Sequence, residues 1–276
     1  MRVEFTKMHG VGNDFVVFDA PVPEPLLDPA RLRALADRRT GIGFDQALLL
    51  DAPRRGENAA HYRVFNADGA EVEQCGNGVR CIAALLARRG LARDGGLTLE
   101  SAAGVIRARL AADGEVSVDL GVPDFDPRSL PFDAAAEADS YALEVGGQRL
   151  EIMAVSLGNP HAVVTVASVD SVPVATLGPL IERHSRFPKR VNAGFLEIVS
   201  REEVRLRVYE RAAGETRSCG TGACAAVAVA RRRGWLEARV RVSVRGGELQ
   251  VNWAGVGEHI WLTGPVQISF QGQVEV

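Results

Sequence analysis

Apolar and polar positions alternate at the start of the chain, where Val3 and Phe5 stand among Arg2, Glu4 and Thr6, and the period of two predicts a strand. Met8-His9-Gly10-Val11-Gly12-Asn13-Asp14 interrupts it with glycines, and Phe15-Val16-Val17-Phe18 resumes it as a second strand. Asp28 followed by Pro29 offers an N-cap and a proline at the first helical position. Leu32, Leu35 and Ala36 then recur at helical spacing up to Arg38-Arg39 and Gly41. Ala47–Leu50 predicts an apolar strand and 51–60 a polar surface loop. His61–Phe65 predicts a further strand, closed by the turn Asn66-Ala67-Asp68-Gly69.

A helix is predicted to begin at Cys75, with Val79, Ile82, Ala83 and Leu86 on one side and Arg88-Arg89-Gly90 as a cationic, glycine-capped end. Its apolar face predicts a central, buried helix. Strands follow over 97–101, 104–110 and 115–120, separated by Ala102-Ala103 and Asp113-Gly114. The stretch 121–140, rich in Pro, Asp and Ala, has the composition of a linker.

The second half replays the first. Cys75 and Cys219 stand 144 positions apart, as do Asn66 and Glu210, while Asn13 and Asn159 stand 146 apart. The helix over 32–39 has its counterpart over 177–186, and 104–110 has its counterpart over 247–253. Correspondences in the same order at nearly one offset indicate a duplication, and two copies are too few for a solenoid. The expected fold class is therefore α+β: two similar domains facing across a cleft, each mixing several strands with a helix or two.

The duplicated motif carries the candidate chemistry. Cys75-Gly76-Asn77-Gly78-Val79-Arg80-Cys81 returns as Cys219-Gly220-Thr221-Gly222-Ala223-Cys224, and each copy opens a helix. A thiol at a helix start faces unpaired N–H groups and is expected to ionise more easily than a free one. Two such thiols suit removal of a proton from one face of a carbon and return of a proton to the other. Gly76-Asn77 and Gly220-Thr221 offer N–H groups and small polar side chains for a carboxylate. Asn13, Asn66, Asn159 and Asn192 fall at strand ends or turns, where each alone is an ordinary turn residue and together they could hold ammonium and carboxylate groups. Cys81 and Cys224 lie inside the apolar helices and read as core.

Composition narrows the classes. The 276 residues are 46% apolar and 24% charged with net charge −3, ordinary for one or two globular domains and unfavourable to nucleic acid or an anionic membrane surface. Neither a signal-peptide core nor a bilayer-length apolar run is present, so the reading is cytoplasmic, with reduced cysteines. The four cysteines lack metal-site spacing, so no metal is expected. The two lysines, Lys7 and Lys189, sit in no cofactor motif, which favours chemistry without a cofactor and a small polar substrate as partner.

The chain resembles the diaminopimelate epimerase family, which belongs to the cofactor-independent, two-thiol amino-acid racemases. The resemblance rests on Phe5-Thr6-Lys7-Met8-His9-Gly10 with Gly12-Asn13-Asp14-Phe15, on Gly41-Ile42-Gly43-Phe44-Asp45-Gln46, and on Phe65–Gly69 leading to the Cys75 motif. It continues with Gly158-Asn159-Pro160-His161, Arg190-Val191-Asn192, and Tyr209-Glu210-Arg211 through Gly214-Glu215-Thr216 to the Cys219 motif. It implies interconversion of LL- and meso-diaminopimelate, toward lysine and peptidoglycan precursors, with Cys75 and Cys219 as acid and base. Asn13, Gln46, Asn66, Asn159, Asn192, Glu210 and Arg211 would hold the substrate, Arg211 suiting the distal carboxylate. Gly76, Asn77, Gly220 and Thr221 would receive the reacting carboxylate. His161 and Glu210 would adjust the thiols; without the family, His161 reads as a surface turn residue and Glu210 as a solvated charge.

By the same resemblance the fold is two pseudo-symmetric domains, each a mostly antiparallel sheet curled round a central helix, spanning 1–119 plus 265–276 and 120–264. A homodimer is expected by analogy. Ala212 departs from the family, which leads us to expect glycine there. Proline and hydroxyproline epimerases share the two-thiol logic, but Gln46, Asn192 and Arg211 suit a second amino-acid head. A binding or redox protein with a switchable Cys75–Cys219 disulfide, and a thiol hydrolase using Cys219 with His161, are the readings from other classes.

Overall fold

The computed structural model describes all residues except Glu73, Gln74, Ala103, Ala112, Asp113 and Ala212. The expectation at Ala212 and parts of the turns at 102–103 and 113–114 thus lie outside the described residues. The chain forms two compact units, one of Met1–Val118 with Gly264–Val276 and one of Asp119–Thr263.

In the first unit the strands lie in the order Gln267–Glu275, Arg2–Gly10, Asn13–Asp19, Gln46–Asp51, Ala60–Asn66, Gly96–Ser101, Gly104–Leu110 and Val116–Asp119. Pairing is antiparallel except between the third and fourth strands and between the fifth and sixth. The second unit has the order Tyr141–Val145, Gln148–Ser156, Pro160–Thr165, Asn192–Ser200, Glu203–Glu210, Arg239–Val244, Gly247–Trp253 and Ile260–Gly264. Its two parallel pairings fall at the same places. A parallel pair needs a crossover connection, and that is where the helices sit: α1 (Pro29–Ala36) and α2 (Gly76–Arg88) in the first unit, α3 (Val174–Glu182) and α4 (Gly220–Arg232) in the second.

Helix α2 packs on Arg2–Gly10 and Asn13–Asp19 near one end of its sheet and on Gly96–Ser101 and Gly104–Leu110 near the other. The sheet therefore curls round it, and α4 is wrapped in the same way by strands from Gln148–Ser156 to Gly247–Trp253. Burial explains the composition of both helices: every residue from Gly76 to Leu86 is buried, including Asn77 and Arg80. Each helix ends on a left-handed glycine. Gly90 (φ 77°) lets Leu91 N–H reach Leu86 O at 3.1 Å, and Gly234 (φ 75°) lets Trp235 N–H reach Ala230 O at 3.0 Å, which satisfies carbonyls the helix leaves open. The expected α+β class, a mostly antiparallel sheet curled round a central helix in each half, is what the chain forms.

Three local expectations are corrected. Helix α1 stops at Ala36 instead of Arg39, because Asp37 Oδ1 captures the N–H groups of Arg39 (2.8 Å) and Thr40 (2.7 Å) and turns the chain. Its start is as read, with Asp28 Oδ1 accepting from Ala30 N–H at 2.8 Å. Helix α3 spans Val174–Glu182 instead of 177–186, since Arg186 leaves the helix to bond Asp133 O and Ala142 O at 2.7 and 2.9 Å. The stretch 121–140 is no free linker: Leu130 and Phe132 are buried in the second unit's core, where Phe132 stacks on Phe187 at 4.4 Å between centroids.

Candidate active site

Cys75 is the N-cap of α2, with extended backbone (φ −143°), so its side chain stands where the first-turn N–H groups lack helical acceptors. Its Sγ lies 3.9 Å from Asn13 Oδ1, and Asn77 Nδ2 donates to the same oxygen at 3.3 Å. Gln46 pairs with Asn66 across the ladder and donates Nε2 to Asn66 Oδ1 at 2.8 Å. The first unit thus gathers Cys75, Asn77 and Asn13 at one helix end, with Gln46 and Asn66 on adjoining strands.

Cys219 is likewise the N-cap of α4 (φ −116°) and is buried. Its Sγ lies 3.6 Å from Thr221 Oγ1. That hydroxyl accepts from Asn159 Nδ2 at 3.3 Å and lies 3.1 Å from His161 Nε2, which is also 3.0 Å from Asn159 Oδ1. Asn192 spans two neighbours, donating to Pro160 O at 3.1 Å and accepting Arg211 N–H at 2.8 Å. The Arg211 side chain is exposed, with Nη1 donating to Lys189 O at 3.3 Å. Gly220 is buried beside Cys219.

The ladders make the two sets equivalent. Phe15 pairs Gln46, which pairs Asn66; His161 pairs Asn192, while Ala193 beside it pairs Tyr209 beside Glu210. His161 therefore occupies the register of Phe15. The second glycine of each motif is a packing requirement. A Cβ on Gly222 would come within 2.9 Å of Val208 Cγ2 and 3.2 Å of Cys219 Sγ, and one on Gly78 within 3.1 Å of Leu48 Cδ2.

Electrostatics overturn three readings. His161 is no surface turn residue: it is 1% exposed, and burial, with the charge of Arg211, lowers its pKa to about 3, so the ring is neutral. Glu210 is no fully solvated charge: it is partly buried and accepts from Thr216 Oγ1. The Cys219 thiol is not made more acidic in this state. Burial pushes it up first and the Glu210 carboxylate pushes it further, against Thr221 Oγ1 and the Gly222 N–H, which draw it down. A helix end does not outweigh the loss of water around a buried sulfur.

The sequence reading gave no role to the side chains behind Asn13. Lys7 and Arg38 bracket the Asp14 carboxylate, and Arg38 Nη2 also reaches Asp45 Oδ1 at 2.7 Å. Burial alone would raise the Asp14 pKa, but the hydrogen bonds and charges of Arg38 and Lys7 hold it well below the usual carboxylate range. The available signal was the position of Asp14 and Asp45, each one residue from a candidate amide, Asn13 and Gln46. Among the described residues no group of three His, Cys, Asp or Glu is placed to hold a metal ion, and no helix is long and apolar enough to cross a membrane.

Known proteins bear on this geometry in two ways. The crystal structure of a hydroxyproline epimerase from Agrobacterium vitis superposes with a TM-score of 0.73 over 99% of this chain and 92% of that one, at 20% identity, which speaks for the fold alone. Diaminopimelate epimerase of Alkalilimnicola ehrlichii is 53% identical over 279 residues, covering 100% of both chains, and that of Nitrosospira multiformis is 50% identical over 276 residues, covering 100% of this chain and 99% of its own. The family pattern described as diaminopimelate epimerase matches residues 5–125 and 153–269, the stretches that hold both N-cap cysteines and their amides. With half its residues shared end to end and the pattern spanning both units, the chain belongs to the diaminopimelate epimerase family.

Proposed function

We propose that this chain is an isomerase that interconverts LL- and meso-diaminopimelate, with diaminopimelate as its substrate and no cofactor. The observation that carries the reading is the duplicated N-cap cysteine, each copy at the start of a buried central helix in a chain half identical to diaminopimelate epimerases.

One thiolate takes the α-proton, breaking Cα–H and forming S–H, and the other thiol gives its proton to the opposite face, leaving a thiolate behind. Cys75 and Cys219 fill these roles and exchange them with direction. Cys219 starts as the donor, because burial and Glu210 keep it protonated at rest. A substrate ammonium arriving near the thiols favours the thiolate form of the partner. The helix-start N–H groups at Gly76-Asn77 and Gly220-Thr221 receive the reacting carboxylate, whose negative charge grows as the carbanion forms. Asn13, Gln46, Asn66, Asn159 and Asn192 hold the polar groups of the substrate. Arg211, exposed and able to bind in a bidentate way, takes the distal carboxylate with Glu210 beside it. His161, neutral and hydrogen-bonded to Thr221, tunes Cys219 through that hydroxyl. The protein acts in the cytoplasm, as a homodimer, in lysine biosynthesis.

The reduced protein, incubated with LL-diaminopimelate in D₂O, is expected to incorporate α-deuterium and form the meso isomer, and Cys75→Ala or Cys219→Ala to abolish turnover. Exchange at proline or hydroxyproline in place of diaminopimelate would overturn the substrate assignment. Thiol–disulfide cycling without α-exchange would overturn the epimerase reading itself.

A further inference from the structure

The side chain of Asn13 has one accepting and one donating group, and its neighbours dictate which way round they stand. Asp45 Oδ2 lies 2.9 Å from Asn13 Nδ2. A carboxylate only accepts, so the NH₂ faces Asp45 and the carbonyl oxygen faces Cys75 Sγ at 3.9 Å and Asn77 Nδ2 at 3.3 Å. Asp45 is itself fixed. Arg38 Nη2 donates to Asp45 Oδ1 and to Asp14 Oδ1, each at 2.7 Å, and Arg38 Nη1 to Asp14 Oδ2 at 3.0 Å. The two aspartates also exchange backbone bonds, Asp14 N–H to Asp45 Oδ2 at 3.2 Å and Asp45 N–H to Asp14 Oδ1 at 3.1 Å. Lys7 closes the set on Asp14.

We infer that Asp45 is a positioning residue for Cys75: it fixes the Asn13 amide with its oxygen against the thiol, and Arg38 fixes Asp45. The inference rests on the reading of Cys75 as a reacting thiol. An acceptor beside the sulfur takes the S–H and disfavours the thiolate, and the cationic end of an amino acid arriving there acts in the opposite sense. Within the first unit, Tyr62 and Cys81 bear electrostatically on Cys75 from Ala60–Asn66 and from α2. Both are uncharged near neutral pH, since burial raises them. Arg80 is the buried cation of α2. Behind Asn13 stand the charges of Lys7, Asp14, Arg38 and Asp45.

Asp45→Asn tests the inference with a side chain of the same size. It leaves one oxygen for three donors, Arg38 Nη2, Asn13 Nδ2 and the Asp14 N–H, and the Arg38 cation claims it, so the new NH₂ turns to Asn13 and flips that amide toward Cys75. In a Cys219→Ala background, Cys75 alkylation by iodoacetamide, located by mass spectrometry, is expected to reach half-maximal rate at lower pH in D45N than without it. With Cys219 intact, kcat/KM for diaminopimelate is expected to fall roughly 10- to 100-fold, mostly in kcat, the cost of a misplaced reacting group. A folded D45N with an unchanged alkylation profile, or one moved to higher pH, overturns the inference. Should D45N not fold, Asp45→Ala removes the acceptor without adding a donor. A smaller shift in the same direction is then expected, and none overturns it. The alkylation readout needs no turnover, so a wild type inert toward diaminopimelate sinks the epimerase reading while the Asp45 result stands separately.

Discussion

His161 and Thr221 join side chain to side chain, Nε2 to Oγ1 at 3.1 Å, linking the strand Pro160–Thr165 to the first turn of α4. The same hydroxyl lies 3.6 Å from Cys219 Sγ. A buried, neutral imidazole is thus one hydroxyl away from the thiol, where its duplicate, Phe15, offers only a hydrocarbon ring.

Burial of His161 makes stability depend on pH. The pKa is 6.5 for the free side chain and about 3 in the folded chain. Its contribution is present above 6.5 and is lost as pH falls from 6.5 toward 3, where only the unfolded chain takes up the proton. His161→Phe, copying the first unit, is expected to remove this slope, worth at most about 1.4 kcal/mol per pH unit. Urea unfolding of both proteins at pH 7.5, 6 and 5 measures it; equal slopes would count against a buried neutral ring.

Glu210 sets the resting state of Cys219 together with burial, since its carboxylate opposes a second negative charge nearby. Glu210→Gln removes that charge, so Cys219 alkylation in a Cys75→Ala background is expected to rise at lower pH than with Glu210 present. Turnover is expected to fall roughly 10²-fold as the balance between donor and acceptor thiol is lost, a size typical of acid–base partners.

Gly222 lies where α4 meets the strand Glu203–Glu210. Gly222→Ala puts a methyl 2.9 Å from Val208 Cγ2 and 3.2 Å from Cys219 Sγ. Overpacking of this kind costs about 1–3 kcal/mol, and the thiol moves with the helix start. A drop in melting temperature accompanied by a larger loss in kcat than in substrate affinity is the expected pattern.

Much of this was legible in the sequence because it rests on local signals. The helix starts at Cys75 and Cys219 show in the glycines beside them, and their ends show in Gly90 and Gly234. The duplication shows in spacing, and the ladders give it physical content, since Phe15–Gln46 and His161–Asn192 are matching pairs on parallel strands. What was not legible depends on long-range packing. The stretch 121–140 has the composition of a loop, yet Phe132 finds Phe187, 55 positions away, and is buried. The His161 ring reads as a turn residue because nothing local to it reports that α4 will cover it. The role of Asp45 required knowing that a carboxylate 32 residues from Asn13 reaches its amide.

The strand Gln267–Glu275 takes beside Arg2–Gly10 the place that Tyr141–Val145 takes beside Gln148–Ser156. In the second unit that edge partner precedes its neighbour in the chain; in the first it comes after everything else. A ribosome therefore releases all strands of the second unit before the first can complete its sheet. Until then Arg2–Gly10 waits with an open edge able to pair with another chain. The order of synthesis, and not only the final contacts, makes the N-terminal unit the last to finish and the one most dependent on protection while it waits.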